Sequence, residues 1–334
     1  MQANIKAISY YLPEDILENE TLNKLFPEWS VDKISSKTGI YKRHIAGQDE
    51  FASDLAVKAA KKLFSEHNIA PSEVDFLLLC TQSPDYFLPT TACVVQDRLS
   101  IPTSAGALDF NLGCSGFIYG LSIAKGLIYA NVATNILLIT AETYSKFIHP
   151  KDKSNRTIFG DAATATLISA DGGFALIESF ELGTDGRGSD NLIVRYGGLR
   201  HPLSTEKAED MVDEYGNVTN HANLFMNGPE IFNFTSEAVP VMIRNVLKKN
   251  GLSEEQIDLY ILHQANRYML NHLRKKMNIP EDRFYYFLEN CGNTVSATVP
   301  IALYEAHASG KAKGNIVLAG FGVGYSWGAC VIKI

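Results

Sequence analysis

Short runs of aliphatic and β-branched residues alternate along the chain with stretches of helical period, punctuated by Gly, Pro and Asn turns. That alternation marks an α/β sheet protein. Met1 to Tyr10 reads as a strand, as do Phe76–Cys80, Asn135–Ile139, Leu259–Leu262, Asn315–Ala319 and a last segment from Ala329 to Ile334. Two of these segments echo two others. Ser72 to Cys80 and Glu255 to His263 both run from a charged lead-in through an aspartate into a buried strand, Asp258 standing 183 positions after Asp75. Asn135–Ile139 returns 180 positions later as Asn315–Ala319. Either pair alone is explained as well by chance likeness between buried strands; both together, in one order, point to an internal duplication. The expected organisation is two pseudo-symmetric α/β halves, residues 1–172 and 173–334. Under duplication Cys80 matches His263, and Cys114 falls near Asn293. Open α/β sheets place ligands beyond the carboxyl ends of their strands, so Cys114, His263 and Asn293 are expected to converge near a pseudo-twofold axis. Tyr196 to Asn223 breaks the rhythm with Gly, His, Pro and many charges, and reads as a surface excursion between the halves that shapes a site entrance.

Composition narrows the class. The chain has 334 residues, 46% hydrophobic and 20% charged, enough apolar material for one large domain or two fused ones. Its longest apolar runs fall far short of the roughly 18 to 20 residues a membrane helix needs, so no membrane insertion is expected. The N-terminus shows neither a basic leader before a long apolar stretch nor a small-residue cleavage site. The five cysteines, Cys80, Cys93, Cys114, Cys291 and Cys330, have neither a disulfide pattern nor C-x-x-C metal spacing. A reducing, cytoplasmic setting without a metal is expected. The net charge of -7 disfavours nucleic acid, which requires a basic face.

Candidate chemistry concentrates at three places. Cys114 lies in Asp109 to Phe117, a strand and a Gly turn, followed by a helix to about Asn131 that is apolar nearly all round. The small residues Gly116, Gly120 and Ala124 let neighbours approach that helix closely. A thiol at a helix N-terminus feels the positive end of the macrodipole, which is expected to lower its pKa and enrich the thiolate; amides there can hold an oxyanion. A small buried hydrophobe is the plain alternative, and it fits Cys80, Cys93 and Cys330 better. His263 ends the apolar strand Leu259–Leu262 and opens a helix reaching about Met277; it reads equally as a site histidine or a hydrogen-bonded structural one. Asn293, taken alone, is ordinary turn chemistry after Gly292. Gly320 to Gly328 lacks the G-x-G-x-x-G spacing and leads into a strand, so it reads as a glycine turn offering backbone N–H groups rather than a nucleotide loop.

Taken together, the motifs resemble one family over essentially the whole chain. Lys37-Thr38-Gly39-Ile40 with Arg43-His44-Ile45, Gly113-Cys114-Ser115-Gly116-Phe117, Phe159-Gly160-Asp161, His263-Gln264-Ala265-Asn266, Gly292-Asn293-Thr294 and Gly324-Tyr325-Ser326-Trp327-Gly328 are similar to those of β-ketoacyl-acyl-carrier-protein synthase III, the initiating condensing enzymes of bacterial fatty-acid synthesis. The resemblance implies a thiolase-like fold in a five-layered αβαβα arrangement, and a homodimer. It also implies that Cys114 attacks an acyl thioester and holds the acyl group, with the amides of Cys114 and Val323 as oxyanion hole. His263 and Asn293 would hydrogen-bond a malonyl thioester carbonyl as carbon dioxide leaves. Two fixed donors in a dry pocket stabilise an enolate far more than water does. Elongating relatives carry a second His where this chain has Asn293. No cofactor is implied, acyl-CoA or acyl-carrier protein and malonyl-carrier protein being substrates.

The resemblance further assigns Lys37, Thr38 and Phe321 to substrate binding and Leu88, just before Pro89, to a loop entering the partner's acyl pocket. It gives Lys275 and Lys276, with Arg267, to docking an acidic carrier protein. Where relatives sandwich adenine between a Trp and an Arg, this chain has Lys33 and Lys37, with Trp29 close but displaced, and the Arg five residues after the catalytic His is Tyr268. An unusual acyl-CoA or an acyl group on a carrier protein is therefore expected as donor. Three other readings stand beside condensation: acyl transfer to an alcohol or amine, a Cys-His-Asn hydrolase, and a non-catalytic relative acting by dimerisation. The hydrolase lacks its local Cys-Trp signature, and retention of all three polar residues speaks against the last.

Overall fold

In a computed structural model, which describes residues 2–203 and 208–334, the apolar runs pair into one nine-stranded sheet. Its strands are β1 (Asn4–Tyr11), β2 (Phe76–Cys80), β3 (Gly106–Phe110), β4 (Asn135–Glu142), β5 (Ala162–Ser169), β6 (Ala175–Thr184), β7 (Leu259–Leu262), β8 (Asn315–Gly322) and β9 (Ser326–Lys333). Across the sheet they run β7-β8-β9-β6-β1-β5-β4-β2-β3. Outward from β1 come β5 and β4, each antiparallel to the strand before it, then β2 and β3, each parallel. Outward from β6 the order repeats as β9 and β8, antiparallel, then β7, parallel, with a parallel bridge from Tyr260 to Phe284 where a fifth strand would stand. The two runs join through Asn4–Leu176 and Ile5–Ala175.

The sequence echo has a mechanical basis. Asp75 Oδ2 accepts from the N–H groups of Thr134 and Asn135 at 3.0 and 2.8 Å, and Asp258 Oδ2 accepts from that of Asn315 at 2.8 Å. Each aspartate fastens the start of one parallel strand to the start of its neighbour, which sets the register of both.

Side chains point alternately to opposite faces of a strand, and the alternation sorts the core into layers. Leu77 and Leu79 pack with helices α1 (Ala52–His67) and α2 (Thr91–Arg98), whereas Leu78 packs with α3 (Gly116–Tyr129). Val317 and Ala319 face α4 (Gly228–Lys249) and α5 (Arg267–Lys276), whereas Ile316 and Leu318 share the central core with α3 and α6 (Thr298–Ala308). Helices α3 and α6 thus lie between the two arms of the sheet with the others outside, giving five layers. Gly120 permits this on α3, since a Cβ there would stand 2.6 Å from Leu138 Cδ1.

Two boundaries differ from the sequence reading. The last strand begins at Ser326, because Gly322 and Ser326 already pair across the glycine turn. The excursion 196–223 follows β6, the first strand of the second run, instead of separating the runs; its residues 204–207 lie outside the described residues. Its end packs on the segment after β4, the Asn223 amide donating to Phe147 O at 3.0 Å and the N–H of Leu224, just beyond, to the same oxygen at 2.8 Å. Among the described residues no helix is long and apolar enough to cross a membrane.

Candidate active site

Cys114 occupies the turn between β3 and α3, where the N–H of Gly116 donates to Gly113 O at 2.7 Å. The hydroxyls of Ser115 and Ser326 pair at 2.6 Å, tying this turn to the start of β9. The end of β8 must be glycine, because a Cβ on Gly322 would come within 2.9 Å of the Cys114 sulfur. The turn beyond it brings the N–H of Val323, with that of Cys114 itself, close enough to Sγ to pull against the rise in the thiol's pKa.

His263 leaves β7 with its N–H donated to Ala319 O at 2.7 Å. Its ring stands edge-on to Phe321, centroids 5.7 Å apart, and its Nδ1 lies 2.7 Å from Oγ1 of Thr298 at the start of α6. Asn293 is stitched by its backbone to the segment before β5: its N–H donates to Ile158 O and its carbonyl accepts from Gly160, both at 3.0 Å. Its Oδ1 accepts from the N–H of Val295 at 2.9 Å, so the amide N–H groups are the end left for the cavity. Behind that segment the fully buried Arg43 donates to Thr157 O from Nε at 3.1 Å and to Asn19 Oδ1 at 2.6 Å. Cys114, His263 and Asn293 line one cavity of about 90 Å³, together with Phe159, Leu192 and Phe321. A larger groove of about 510 Å³, which Phe159 also lines, holds none of the three.

Burial decides the charge states. The Cys114 thiol is pushed up to about 12, first by burial and then by nearby Glu142, against the pull of the two amides. This overturns the expectation of a thiol lowered by the helix end: desolvating a thiolate outweighs the half-charge of a macrodipole. Burial pushes His263 down to about 3, so its imidazole is neutral near pH 7.

Sequence reasoning missed three neighbours. Glu142, at the end of β4, is fully buried and accepts from the Gln82 N–H and from the Ser83 and Ser296 hydroxyls; burial raises it to about 8. An acid closing the apolar run Ile136 to Ala141 was the available signal. Tyr144 packs in the cluster around Cys114 with its ring 5.2 Å from that of Phe159, and its hydroxyl donates to Gln82 Oε1 at 3.1 Å. Thr298, the partner of His263, is one more threonine in the sequence.

The residues assigned to substrate and carrier disperse. Phe321 lines the cavity. Lys37 is exposed on the helix Val31–Thr38, and its ammonium and that of Lys33 lie 5.6 and 4.9 Å from the centre of the Trp29 ring; the indole is flanked by both lysines. Thr38 is buried, its hydroxyl donating to Ile34 O at 2.8 Å and accepting from the N–H of Ile40, so its polar group is spent closing its own helix. Leu88 projects outward, 84% exposed beside Phe87 and Tyr86, and lines no part of the cavity. Arg267 pairs with Glu289 and lies 4.5 Å from the Tyr286 ring centre. Lys275 and Lys276 are exposed about 12 Å further along α5, and Lys276 donates to Ser236 Oγ at 2.8 Å. The three do not form one patch.

Comparison with known proteins gives consistent matches. Residues 108–186 match the family described as 3-oxoacyl-[acyl-carrier-protein (ACP)] synthase III, and residues 247–334 match its C-terminal part. The chain is 39% identical to a beta-ketoacyl-[acyl-carrier-protein] synthase III of Caldanaerobacter subterraneus subsp. tengcongensis, over 99% of this chain and 97% of the relative. A crystal structure of a 3-oxoacyl-(acyl-carrier-protein) synthase III superposes with a TM-score of 0.97 at 51% identity, covering both chains completely. That of a 3-oxoacyl-(acyl-carrier protein) synthase from Burkholderia xenovorans LB400 superposes at 0.90 with 34% identity, over 100% of this chain and 94% of the other.

Proposed function

As the chain belongs to the 3-oxoacyl-[acyl-carrier-protein] synthase III family and is an acyl-transferring condensing enzyme, we propose that Cys114, His263 and Asn293 carry the initiating condensation of fatty-acid biosynthesis. One observation supports these roles above all others: a single cavity gathers a thiol, a neutral imidazole and a carboxamide, with two backbone amides near the sulfur.

The thiol of Cys114 attacks the carbonyl of an acyl thioester, donated by coenzyme A or a carrier protein. Because the thiol is held near 12, its proton leaves during the attack rather than before it, and departs with the donor thiol as the donor's C–S bond breaks. The N–H groups of Cys114 and Val323 hold the oxyanion. A malonyl group on a carrier protein then enters. Its C–CO₂ bond breaks, and the electron pair passes to the thioester oxygen as an enolate held by His263 Nε2–H and Asn293 Nδ2–H. The enolate carbon bonds to the acyl carbon, the bond to Cys114 breaks, and the sulfur takes up a proton from solvent. Each step needs only this chain, its substrates and that one proton.

Around this centre we read residues 1–172 and 173–334 as two copies of one unit, supported by the repeated strand order. We read Lys275 and Lys276, without Arg267, as the carrier-docking charges, the exposed Leu88 loop as part of a homodimer contact, and the unpaired cysteines as fitting a cytoplasmic protein. The roles of the three residues are tested by offering candidate acyl thioesters, weighing the Cys114 peptide, then adding malonyl-carrier protein. Acyl mass on Cys114 followed by carbon dioxide and a β-ketoacyl product is expected. Acylation without condensation would overturn it in favour of transfer to an alcohol or amine.

A further inference from the structure

If His263 and Asn293 hold the enolate as just described, the imidazole must present an N–H to it and not a lone pair. A neutral imidazole carries one N–H, and the partner of the other nitrogen decides where it sits. That partner is Thr298. Its Oγ1 lies 2.7 Å from His263 Nδ1 and 3.0 Å from Val295 O, and one hydroxyl has one proton to give. Donated to Val295 O, it leaves Oγ1 to accept from Nδ1–H, and Nε2 is bare. Donated to Nδ1, it leaves the proton on Nε2.

The role proposed for the imidazole requires the second arrangement, and two features accommodate it. Val295 O already accepts the backbone N–H of Thr298, so it is not orphaned when the hydroxyl turns away. His263 and Thr298 are each about 2% exposed, which leaves water little access to replace either bond. We propose that Thr298 is a positioning residue for the condensation, its hydroxyl donating to Nδ1 and locking His263 in the Nε2–H tautomer. The same turn serves both enolate donors. Val295, in left-handed backbone at φ 55°, donates its N–H to Asn293 Oδ1, and its carbonyl accepts the backbone N–H of Thr298. Burial keeps the imidazole neutral, so the tautomer matters throughout the neutral pH range.

The inference rests on the roles proposed for His263 and Asn293, and the test separates the two. In ¹⁵N NMR of enzyme labelled at histidine, with the His263 signals identified by their loss in H263A, the wild type is expected to show an unprotonated Nδ1 and a protonated Nε2. Thr298→Val, which keeps the volume and removes the hydroxyl, is expected to lose that preference. A protonated Nδ1 in the wild type would overturn the inference. In kinetics, T298V is expected to slow malonyl decarboxylation about tenfold or more, the order of effect of leaving a buried polar group unpaired. Acylation of Cys114 should change by less than about threefold, since it does not use the enolate donors. Thr298→Ser, which restores the hydroxyl, should recover most of the decarboxylation. Decarboxylation equally fast in T298V and wild type would sink the tautomer lock, whereas decarboxylation unaffected in H263A would sink the reading beneath it.

Discussion

At Cys114 two effects compete, and their sizes decide between them. A helix end offers a fraction of a charge to a thiolate, while removing that thiolate from water costs several kcal/mol, and burial prevails with a pKa near 12. Alkylation of Cys114 by iodoacetamide should therefore rise about tenfold per pH unit between about pH 6 and 9 with no plateau, as ionisation far below a pKa requires. A plateau near neutrality would restore the dipole-lowered thiol. Glu142 is raised from 4.5 to about 8. The folded protein binds its proton more tightly than the unfolded chain, so this stabilisation is present below pH 4.5 and is lost as pH rises to about 8. Glu142→Gln removes the titration. It is expected to flatten the fall in Tm from acid to mildly alkaline pH, making the variant the more stable of the two near pH 8 by roughly a few kcal/mol. The thiol's position was legible from its glycine turn, but its ionisation was not, because desolvation comes from residues such as Tyr144 and Phe159 that are remote in sequence.

Elements were easier to read than their junctions. The buried strands and the all-round apolar α3 followed from period and composition, since both faces of these elements are covered and the sequence has to be apolar throughout. The aspartate echo also survived as geometry, one carboxylate at each paired strand start. What α3 demands of its neighbours is testable at Gly120. Replacing it with Leu drives a branched side chain into Leu138 and should cost about 1 to 3 kcal/mol, the usual range for overpacking. Urea denaturation measures this, and a variant as stable as wild type would mean that the central layer has room to yield. The excursion 196–223 was misplaced relative to β6 because a polar loop carries no periodicity to say which strand precedes it.

For the whole molecule, surface chemistry separates substrates from partners. The Arg267 charge is answered by Glu289, so charge reversal of Lys275 and Lys276 together should raise the KM for malonyl-carrier protein several-fold, leave that for a small acyl thioester unchanged, and lose its effect in high salt. An unaltered carrier KM would remove the patch. Leu88, exposed beside Phe87 and Tyr86, lies on a surface that the proposed homodimer would bury; Leu88→Asp should shift sedimentation toward monomer, and an unshifted boundary would place the contact elsewhere. By itself the sequence determined the α/β class, the repeated strand order and three polar residues at ends of apolar elements, because burial and turns impose local patterns that one chain displays unaided. Only the tertiary structure decided that these three share one cavity, that the sulfur meets the amide of Val323, that Glu142 is sealed beside them, and that Thr298 stands at the back of His263. Each of these depends on distances between elements far apart in the chain and on the water their packing expels, neither of which leaves a periodic trace in the order of residues.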